Sequence, residues 1–153
     1  MTTPEDALKL DHQLCFALYA GSKELIRLYK PLLDPFGLTY TQYITLLVLW
    51  ERDGLSVSEL GGRLMLDSGT LTPLLKKLEQ SQLLTRTRDS TDERTVRVCL
   101  TEEGRALRQQ FLNVPNRMFC SLGLAPQEAL ELKTLLEKLL KNLNGAKEDI
   151  VSE

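Results

Sequence analysis

One cysteine and two tyrosines, Cys15, Tyr19 and Tyr29, lie in the segment HQLCFALYAGSKELIRLY. A cysteine thiolate is the form that attacks a peroxide oxygen, and phenol hydroxyls that donate to the sulfur stabilise the thiolate and lower the pKa of the thiol. A free cysteine is also one of the residue types most often buried as a small hydrophobe. The segment is therefore a candidate for thiol redox chemistry, and passive packing of Cys15 is the alternative.

These residues are predicted to share one face of a helix. Cys15, Tyr19, Ser22, Ile26 and Tyr29 follow steps of four, three, four and three. With a rise of about 1.5 Å per residue, Tyr29 lies about 20 Å from Cys15 within one chain. Contact between the two side chains therefore needs a second copy. A two-fold axis that sets two such helices antiparallel would bring Tyr29 of one copy beside Cys15 of the other.

One histidine and two further cysteines complete the set of reactive side chains. His12, one turn before Cys15, would favour the thiolate if protonated, although a lone histidine near a helix start is more often a surface residue. The cysteine count is odd and no two cysteines are close in sequence, so neither a disulfide framework nor a zinc site is indicated. Without a phosphate loop, metal cluster or nucleophile triad, we expect no cofactor and no metal.

Composition limits the class of protein. The 153 residues, 42% of them hydrophobic, suffice for one domain or one protomer of a compact dimer. The net charge of −2 gives no overall attraction to nucleic acid, so any DNA contact needs a local basic surface. No apolar run is long enough to span a membrane, and the start MTTPEDALKLD lacks the pattern of a signal peptide. We therefore expect a soluble, cytoplasmic protein.

The elements that must position these side chains begin with helices. The first helix should end near Lys30, because Pro31 disfavours helical geometry in the residue before it. A second follows Thr39, which forms a capping-box spacing with Gln42, and its interior YITLLVLW is apolar nearly all round. This second helix should be central to the core.

Two short helices with a tight connection follow, which is the pattern of a helix-turn-helix. Ser56 and Glu59 form a second capping-box spacing before a helix that runs to about Leu64. Asp67 or Ser68 then caps a helix that runs to about residue 80.

The period then changes to that of strands. LLTRTR and TVRVCL alternate apolar and polar residues, and DSTDER lies between them, which predicts a hairpin or wing. Helix resumes after Thr101, and Pro126 suits the first turn of a last helix. We expect the tail after Gly145 to fray. The apolar stripe of the last helix comprises Leu132, Leu135, Leu136, Leu139, Leu140 and Leu143.

The predicted fold class is mainly α with a small β wing (α+β). A winged helix-turn-helix spans about residues 36–104, and it is flanked by dimerisation helices at about residues 8–35 and 105–143. Long terminal helices around a winged helix favour a homodimer.

Candidate DNA contacts lie at the start of the second helix of the helix-turn-helix. Small hydrogen-bonding side chains can approach base edges, while the helix N-terminus and lysines meet phosphates. These candidates are Ser68, Gly69, Thr70, Thr72, Lys76 and Lys77.

The predicted wing adds a basic cluster. Arg94 at the tip is suited to the minor groove, Asp92 could orient it, and Arg86 is a further candidate contact. The segment 63–97 holds seven basic and five acidic residues, so the arrangement matters more than the sum. Ordinary solvated charge on an interaction domain is the alternative. The arginines of the cluster are Arg86, Arg88, Arg94 and Arg97.

The segment LMLDSGTLTPLLKKLEQSQLLTRTRDSTDERTVRVCLTEEG closely resembles the winged helix of the MarR family of dimeric bacterial transcription regulators. The segments LCFALY and LYKPLLDPFGLTYTQYITLLVLW resemble the organic hydroperoxide-sensing (OhrR) branch of that family. The wing pattern RDSTDER indicates only the broad family, whereas the cysteine of LCFALY with the later tyrosines is more specific. The resemblance covers nearly the whole chain.

This resemblance implies a homodimeric repressor that binds an inverted-repeat DNA operator and releases it when Cys15 is oxidised by an organic hydroperoxide. It further implies that Tyr29 and Tyr40 of the other subunit hold the thiolate, with Tyr19 near the site. Cys120 matches the second cysteine of the two-cysteine type, which forms an intersubunit disulfide with the first, a route that averts over-oxidation; a passive packing cysteine is the alternative. Cys99 matches no sensor and is interpreted as structural.

Two other functions stay open. A MarR-type regulator of this kind could respond to a small phenolic ligand or to general thiol oxidants. A thiol peroxidase is the alternative from another class, although the chain has no CxxC motif and the DNA-contact residues would then have no purpose. We therefore expect a regulator and not an enzyme.

Overall fold

The computed structural model describes residues 5–150, with side chains described up to residue 145. Short 3-10 turns at Asp6–Leu8 and Leu10–His12 precede the first helix, and another at Asp34–Phe36 follows it. In this part of the chain the helices and strands are α1 Leu14–Leu33, α2 Tyr40–Glu51, β1 Leu55–Ser56, α3 Val57–Leu64, α4 Ser68–Gln80, β2 Leu84–Arg88, β3 Val96–Leu100, α5 Glu102–Phe111, α6 Val114–Ser121 and α7 Pro126–Ile150.

Helix α1 is longer than the sequence predicts. It passes Pro31 and ends at Leu33, so the expected end near Lys30 is wrong. Leu33 is 1% exposed, and the N–H of Asp34 still donates to the carbonyl of Lys30. Burial of Leu33 and this closing hydrogen bond hold the last turn, although Pro31 lacks an N–H of its own.

The predicted helix starts at α2, α3 and α4 are confirmed by their caps. Thr39 and Gln42 form a reciprocal capping box, as do Ser56 and Glu59. Of the two candidates for the α4 cap, Asp67 takes the role. Each cap satisfies backbone N–H groups that a helix start leaves without a partner.

Helix α2 is central to the core, as its apolar interior predicts. Tyr43, Leu46 and Leu49 are almost fully buried. Trp50 at its end donates from Nε1 to the carbonyl of Gly104 in α5, at 2.8 Å. The buried leucines of the helix-turn-helix complete this core, namely Leu60, Leu71, Leu74, Leu75 and Leu78.

The sheet has three antiparallel strands in the order β1-β3-β2. The hairpin of β2 and β3 is the predicted wing, with Leu84 opposite Leu100 and Arg88 opposite Val96. Strand β1 was not predicted, because two residues are too few to show a period. It extends the wing back to the start of α3, with Leu55 opposite Val98.

The chain divides into two compact units, one up to Val114 and one from Pro115 onward. In the second, α6 was not predicted, whereas the start of α7 at Pro126 is confirmed. Helix α7 continues to Ile150, beyond the residue where we expected fraying, and residues 151–153 lie outside the described part. Most leucines of its predicted stripe are exposed. Within the described residues, no helix is both long and apolar enough to cross a membrane.

Candidate thiol site and nucleic-acid interface

The start of α4 presents its polar side chains to solvent. Ser68, Gly69, Thr70 and Thr72 are all exposed. Asp67 Oδ1 accepts from the backbone N–H of Thr70 at 2.8 Å and Oδ2 accepts from its hydroxyl at 3.2 Å, and these bonds hold the pKa of the Asp67 carboxyl below its usual range. The first turn of α4 is thus fixed by its own cap.

The lysines of α4 extend this exposed surface. Ser68, Thr72 and Lys76 are four residues apart and share one helix face. Lys76 and Lys77 are exposed, whereas the leucines of the opposite face are buried in the core. No residue in the described ranges pairs with either ammonium group. Both lysines are therefore available to an anionic partner.

Arg86 has contacts different from those expected of a DNA-binding side chain. Its Nη2 lies 2.8 Å and its Nε 3.0 Å from Oε2 of Glu79, and its backbone N–H donates to Oε1 at 2.9 Å. These hydrogen bonds lower the pKa of Glu79. The pair joins α4 to the first strand of the wing, so the guanidinium of Arg86 is engaged within the chain.

Of the other wing arginines, two are bonded within the chain and one is not. Arg97 pairs with Asp89 and donates from Nη1 to the carbonyl of Gly54 at 3.1 Å. Arg88 donates to the carbonyl of Glu93 at 3.2 Å. The exposed Arg94 guanidinium has no hydrogen bond or ion pair to any described residue. It is the wing arginine left for an outside partner.

The wing tip is organised by two aspartates. Asp89 accepts from the hydroxyl and backbone N–H of Thr91 and from Arg97, and these hydrogen bonds hold the pKa of its carboxyl well below the usual range. Asp92 accepts from the backbone N–H of Arg94 at 3.0 Å and from the hydroxyl of Thr95 at 3.1 Å. Asp92 therefore positions the backbone of Arg94 and not its guanidinium, which is the group that the sequence predicts it to orient.

A cavity of about 340 Å³ lies where α3, α4 and the wing meet. Thr72 from α4 lines it together with Arg86 and Arg94 from the wing. The structure thus brings one α4 candidate, Thr72, and two wing candidates, Arg86 and Arg94, to one concave surface.

Cys15 lies in the first turn of α1 and is exposed. The ring centroids of its neighbours Phe16 and Tyr19 are 6.5 Å apart, and Lys23 Nζ lies 5.0 Å from the centroid of the Tyr19 ring. His12 is not on this helix but in the preceding 3-10 turn, where Nδ1 lies 2.9 Å from the carbonyl oxygen of Asp6. The exposed thiol thus shares a helix face with the aromatic ring of Tyr19, four residues further on.

Tyr29 and Tyr40 lie together, with ring centroids 4.9 Å apart. Burial raises the pKa of each hydroxyl, so both remain protonated donors at neutral pH. A third ring, Tyr43, lies 5.6 Å from Tyr29; the sequence pattern YITLLVLW predicts it only as part of the core.

The structure does not bring Cys15 to these tyrosines within the chain. Cys15 and Tyr29 lie on one uninterrupted helix, so their 14-residue separation corresponds to about 20 Å. A shallow groove of about 290 Å³ opens beside the tyrosines and is lined by Ile26, Leu38 and Tyr40. Its lining also includes the charged side chains of Arg27, Lys30 and Asp34, so the groove offers both apolar contact and charge.

The remaining cysteines lie on other elements. Cys120 is exposed on α6, in the second unit, and Cys99 lies on β3 opposite Thr85. All three thiols are free. Among the side chains described, up to residue 145, no group of three or more His, Cys, Asp or Glu is arranged to hold a metal ion.

Known proteins share both the sequence and the fold of this chain. Residues 27–111 match the model of the family described as transcriptional regulator SarA/Rot. The chain is 48% identical over 134 residues to the organic hydroperoxide resistance transcriptional regulator of Bacillus subtilis, covering 88% of this chain and 89% of that protein.

Solved structures with this fold include forms of AbfR, a protein of Staphylococcus epidermidis. Reduced AbfR bound to DNA has a TM-score of 0.79 and 34% identity, covering 94% of this chain and 99% of that one. Disulfide-formed AbfR has a TM-score of 0.62 and 36% identity, covering 89% and 96%.

Proposed function

Because the chain belongs to the MarR/SarA family of winged-helix transcription regulators, we propose that it is a homodimeric repressor that leaves its operator when an organic hydroperoxide oxidises Cys15. It is a DNA-binding regulator rather than an enzyme. The observation that carries the redox proposal is the exposed thiol of Cys15 at one end of α1 and, about 20 Å along the same helix, Tyr29, whose ring packs against Tyr40 of α2.

The operator contacts follow from the exposed side chains of α4 and the wing. The first turn of α4 reads base edges in the major groove, and the lysines contact phosphates. Arg94 enters the minor groove, while Arg86 fixes the wing to α4 through Glu79. Two copies related by a two-fold axis read an inverted repeat with half-sites about one DNA turn apart.

Exposed apolar side chains support the dimer. Leu14, Tyr19, Ile26 and Leu28 on α1 are exposed in the single chain. Helix α7 of the second unit exposes its own row of leucines. Large exposed apolar patches usually mark protein interfaces, and we assign these two sets of side chains to the dimer interface. Antiparallel pairing of α1 with its copy places each Cys15 against the tyrosines of the other subunit.

Oxidation proceeds in two steps, formation of a sulfenic acid and then of a disulfide. The Cys15 thiolate attacks the outer oxygen of the hydroperoxide, the O–O bond breaks, and the alkoxide takes up a proton and leaves as an alcohol. Cys15 is then a sulfenic acid. The Cys120 thiolate of the other subunit attacks that sulfur and forms the disulfide, and the departing hydroxide takes up a proton to become water. Drawing these residues together changes the separation of the two α4 helices and releases the operator.

Operator binding of the purified protein tests the sensor. Reduced protein should bind, and cumene hydroperoxide should release it. Cys15→Ser should bind and ignore peroxide, whereas Cys120→Ser should lose the peroxide-dependent dimer band on non-reducing gels. Release of Cys15→Ser by peroxide would place the sensor elsewhere, and its release by a phenolic compound would favour the ligand-responsive alternative.

Mixed dimers test whether the site spans two subunits. Cys15→Ser and Tyr29→Phe chains should together form one complete site, with the cysteine from one chain and the tyrosine from the other. Refolding the two together should restore peroxide-reactive Cys15 to a fraction of the protein, measured by sulfenic-acid labelling. Reactivity no greater than that of Tyr29→Phe alone would show that each site lies within one chain.

A further inference from the structure

Tyr43 is an unexpected residue for its position in the core. Its ring is 2% exposed and packs between Tyr29 and Phe111, with centroid distances of 5.6 Å and 5.4 Å. Tyr40 lies 6.5 Å away. Phenylalanine would fill this space equally well. The hydroxyl therefore needs an explanation of its own.

That hydroxyl has no partner within the described chain. No residue between positions 5 and 145 accepts from or donates to the oxygen of Tyr43. Every fully buried side-chain oxygen or nitrogen in this range does have a hydrogen-bond partner, so the Tyr43 oxygen must reach the surface at the end of its buried ring. A tyrosine buried to this degree usually has a hydrogen-bond partner.

The hydroxyls of Tyr29 and Tyr40 also lack a partner, since neither has a hydrogen bond to a described residue. Their rings and that of Tyr43 are in mutual contact range. Three unpartnered phenol hydroxyls thus belong to one cluster. Such a cluster of donors suits a single acceptor with several lone pairs and a negative charge.

We propose that Tyr43 is a third hydroxyl donor to the thiolate of the partner subunit's Cys15, beside Tyr29 and Tyr40. This rests on the proposed function, because the acceptor comes from the second copy. Burial, together with the nearby Tyr29 and Tyr40, raises the pKa of Tyr43 to about 12, so its proton is retained at neutral pH. A thiolate that receives a third hydrogen bond is more stable, and the pKa of its thiol is lower.

The test measures the acidity of Cys15 directly, in a Cys99→Ser, Cys120→Ser background. Tyr43→Phe removes only the hydroxyl. It should raise the pKa of Cys15, so that iodoacetamide alkylation and cumene hydroperoxide oxidation below that pKa slow about tenfold, while the reduced protein keeps its operator affinity. Incorporation of 3-fluorotyrosine at position 43 keeps the packing and provides a more acidic, stronger donor, so it should shift the alkylation profile to lower pH.

Thr45→Val is the matched control, because it removes a buried hydroxyl from the same helix, one that donates to the carbonyl of Thr41 at 2.8 Å. It should lower stability and leave the pH profile of Cys15 unchanged. If Tyr43→Phe behaves like this control while Tyr29→Phe shifts the profile, Tyr43 is a packing residue only. The inference on Tyr43 then fails, and the proposed thiol site stands without it. If Tyr29→Phe and Tyr40→Phe also leave the profile unchanged, the proposed thiol site itself is wrong.

Discussion

Replacement of Arg94 by alanine should weaken operator binding without weakening the fold. Its guanidinium has no partner among the described residues, so the substitution removes no internal contact. Arg97 provides the contrast, because it pairs with Asp89 and bonds to the carbonyl of Gly54. Arg97→Ala should therefore lower the melting temperature, whereas Arg94→Ala should leave it unchanged.

The size of the effect follows from the interaction that each wing makes with DNA. Removing one arginine from a DNA interface costs about 1–3 kcal/mol, roughly a 5- to 150-fold drop in affinity for each half-site. The slope of log K against log salt falls by about 0.9 for each phosphate that is no longer neutralised, so two wings give a change of about 1.8. The drop in affinity should accordingly be largest at low salt.

Fluorescence anisotropy with the reduced protein and a labelled operator duplex, at about 50 to 200 mM salt, measures both quantities. Arg94→Lys keeps the charge and should retain the salt slope while losing any interaction that needs the planar guanidinium. Unchanged affinity and slope in Arg94→Ala would refute a wing contact. Equal losses in Arg94→Ala and Arg97→Ala at equal melting temperatures would refute the division between free and structural arginines.

Two predictions concern stability. A Cβ at Gly104 would lie 2.0 Å from the carbonyl oxygen of Leu83, so Gly104→Ala should lower the free energy of unfolding by about 1–3 kcal/mol or more. A Cβ at Gly62 on α3 has no atom within 4 Å, so Gly62→Ala should raise the free energy of unfolding by about 0.5–1 kcal/mol. Urea unfolding measures both changes, and equal effects would contradict the steric argument. The pKa of Asp89 is depressed in the folded state, so its contribution to stability is complete above the unfolded pKa of about 4 and is lost as the pH falls toward the lower, folded pKa. Asp89→Asn should therefore lose less stability than the wild type in thermal unfolding between about pH 5 and 3, and identical pH profiles would refute this role.

Local sequence chemistry predicted most of the helix starts. Thr39, Ser56 and Asp67 each cap a helix, because capping depends on residues only three positions apart. The wing strands were predicted from their alternation. Strand β1 was missed because its two residues pair with β3, about forty positions away in the sequence. Short-range pattern contains no information on such a pairing.

The same limit applies to the basic surface. The sequence pattern singles out Arg86 and Arg94 among the four wing arginines as candidate DNA contacts, whereas the arginines that form ion pairs in the structure are Arg86 and Arg97. Arg86 is held by Glu79 and Arg97 by Asp89, so both serve the wing itself. These partners lie seven and eight residues away and meet only when α4 and the two strands are in place. Count and spacing alone therefore overstate the charge available to DNA.

The extension of α1 past Pro31 bears on the proposed thiol site. If the helix ended near Lys30, Tyr29 would lie in a fraying last turn, and a hydroxyl on such a turn is a poorly positioned donor. The buried Leu33 instead anchors the end of the helix, and the ring of Tyr29 rests against Tyr43. Donors fixed in advance stabilise a thiolate without the entropic cost of ordering them. Leu33, which lies beyond the predicted end of the helix, thus helps to hold Tyr29 in place.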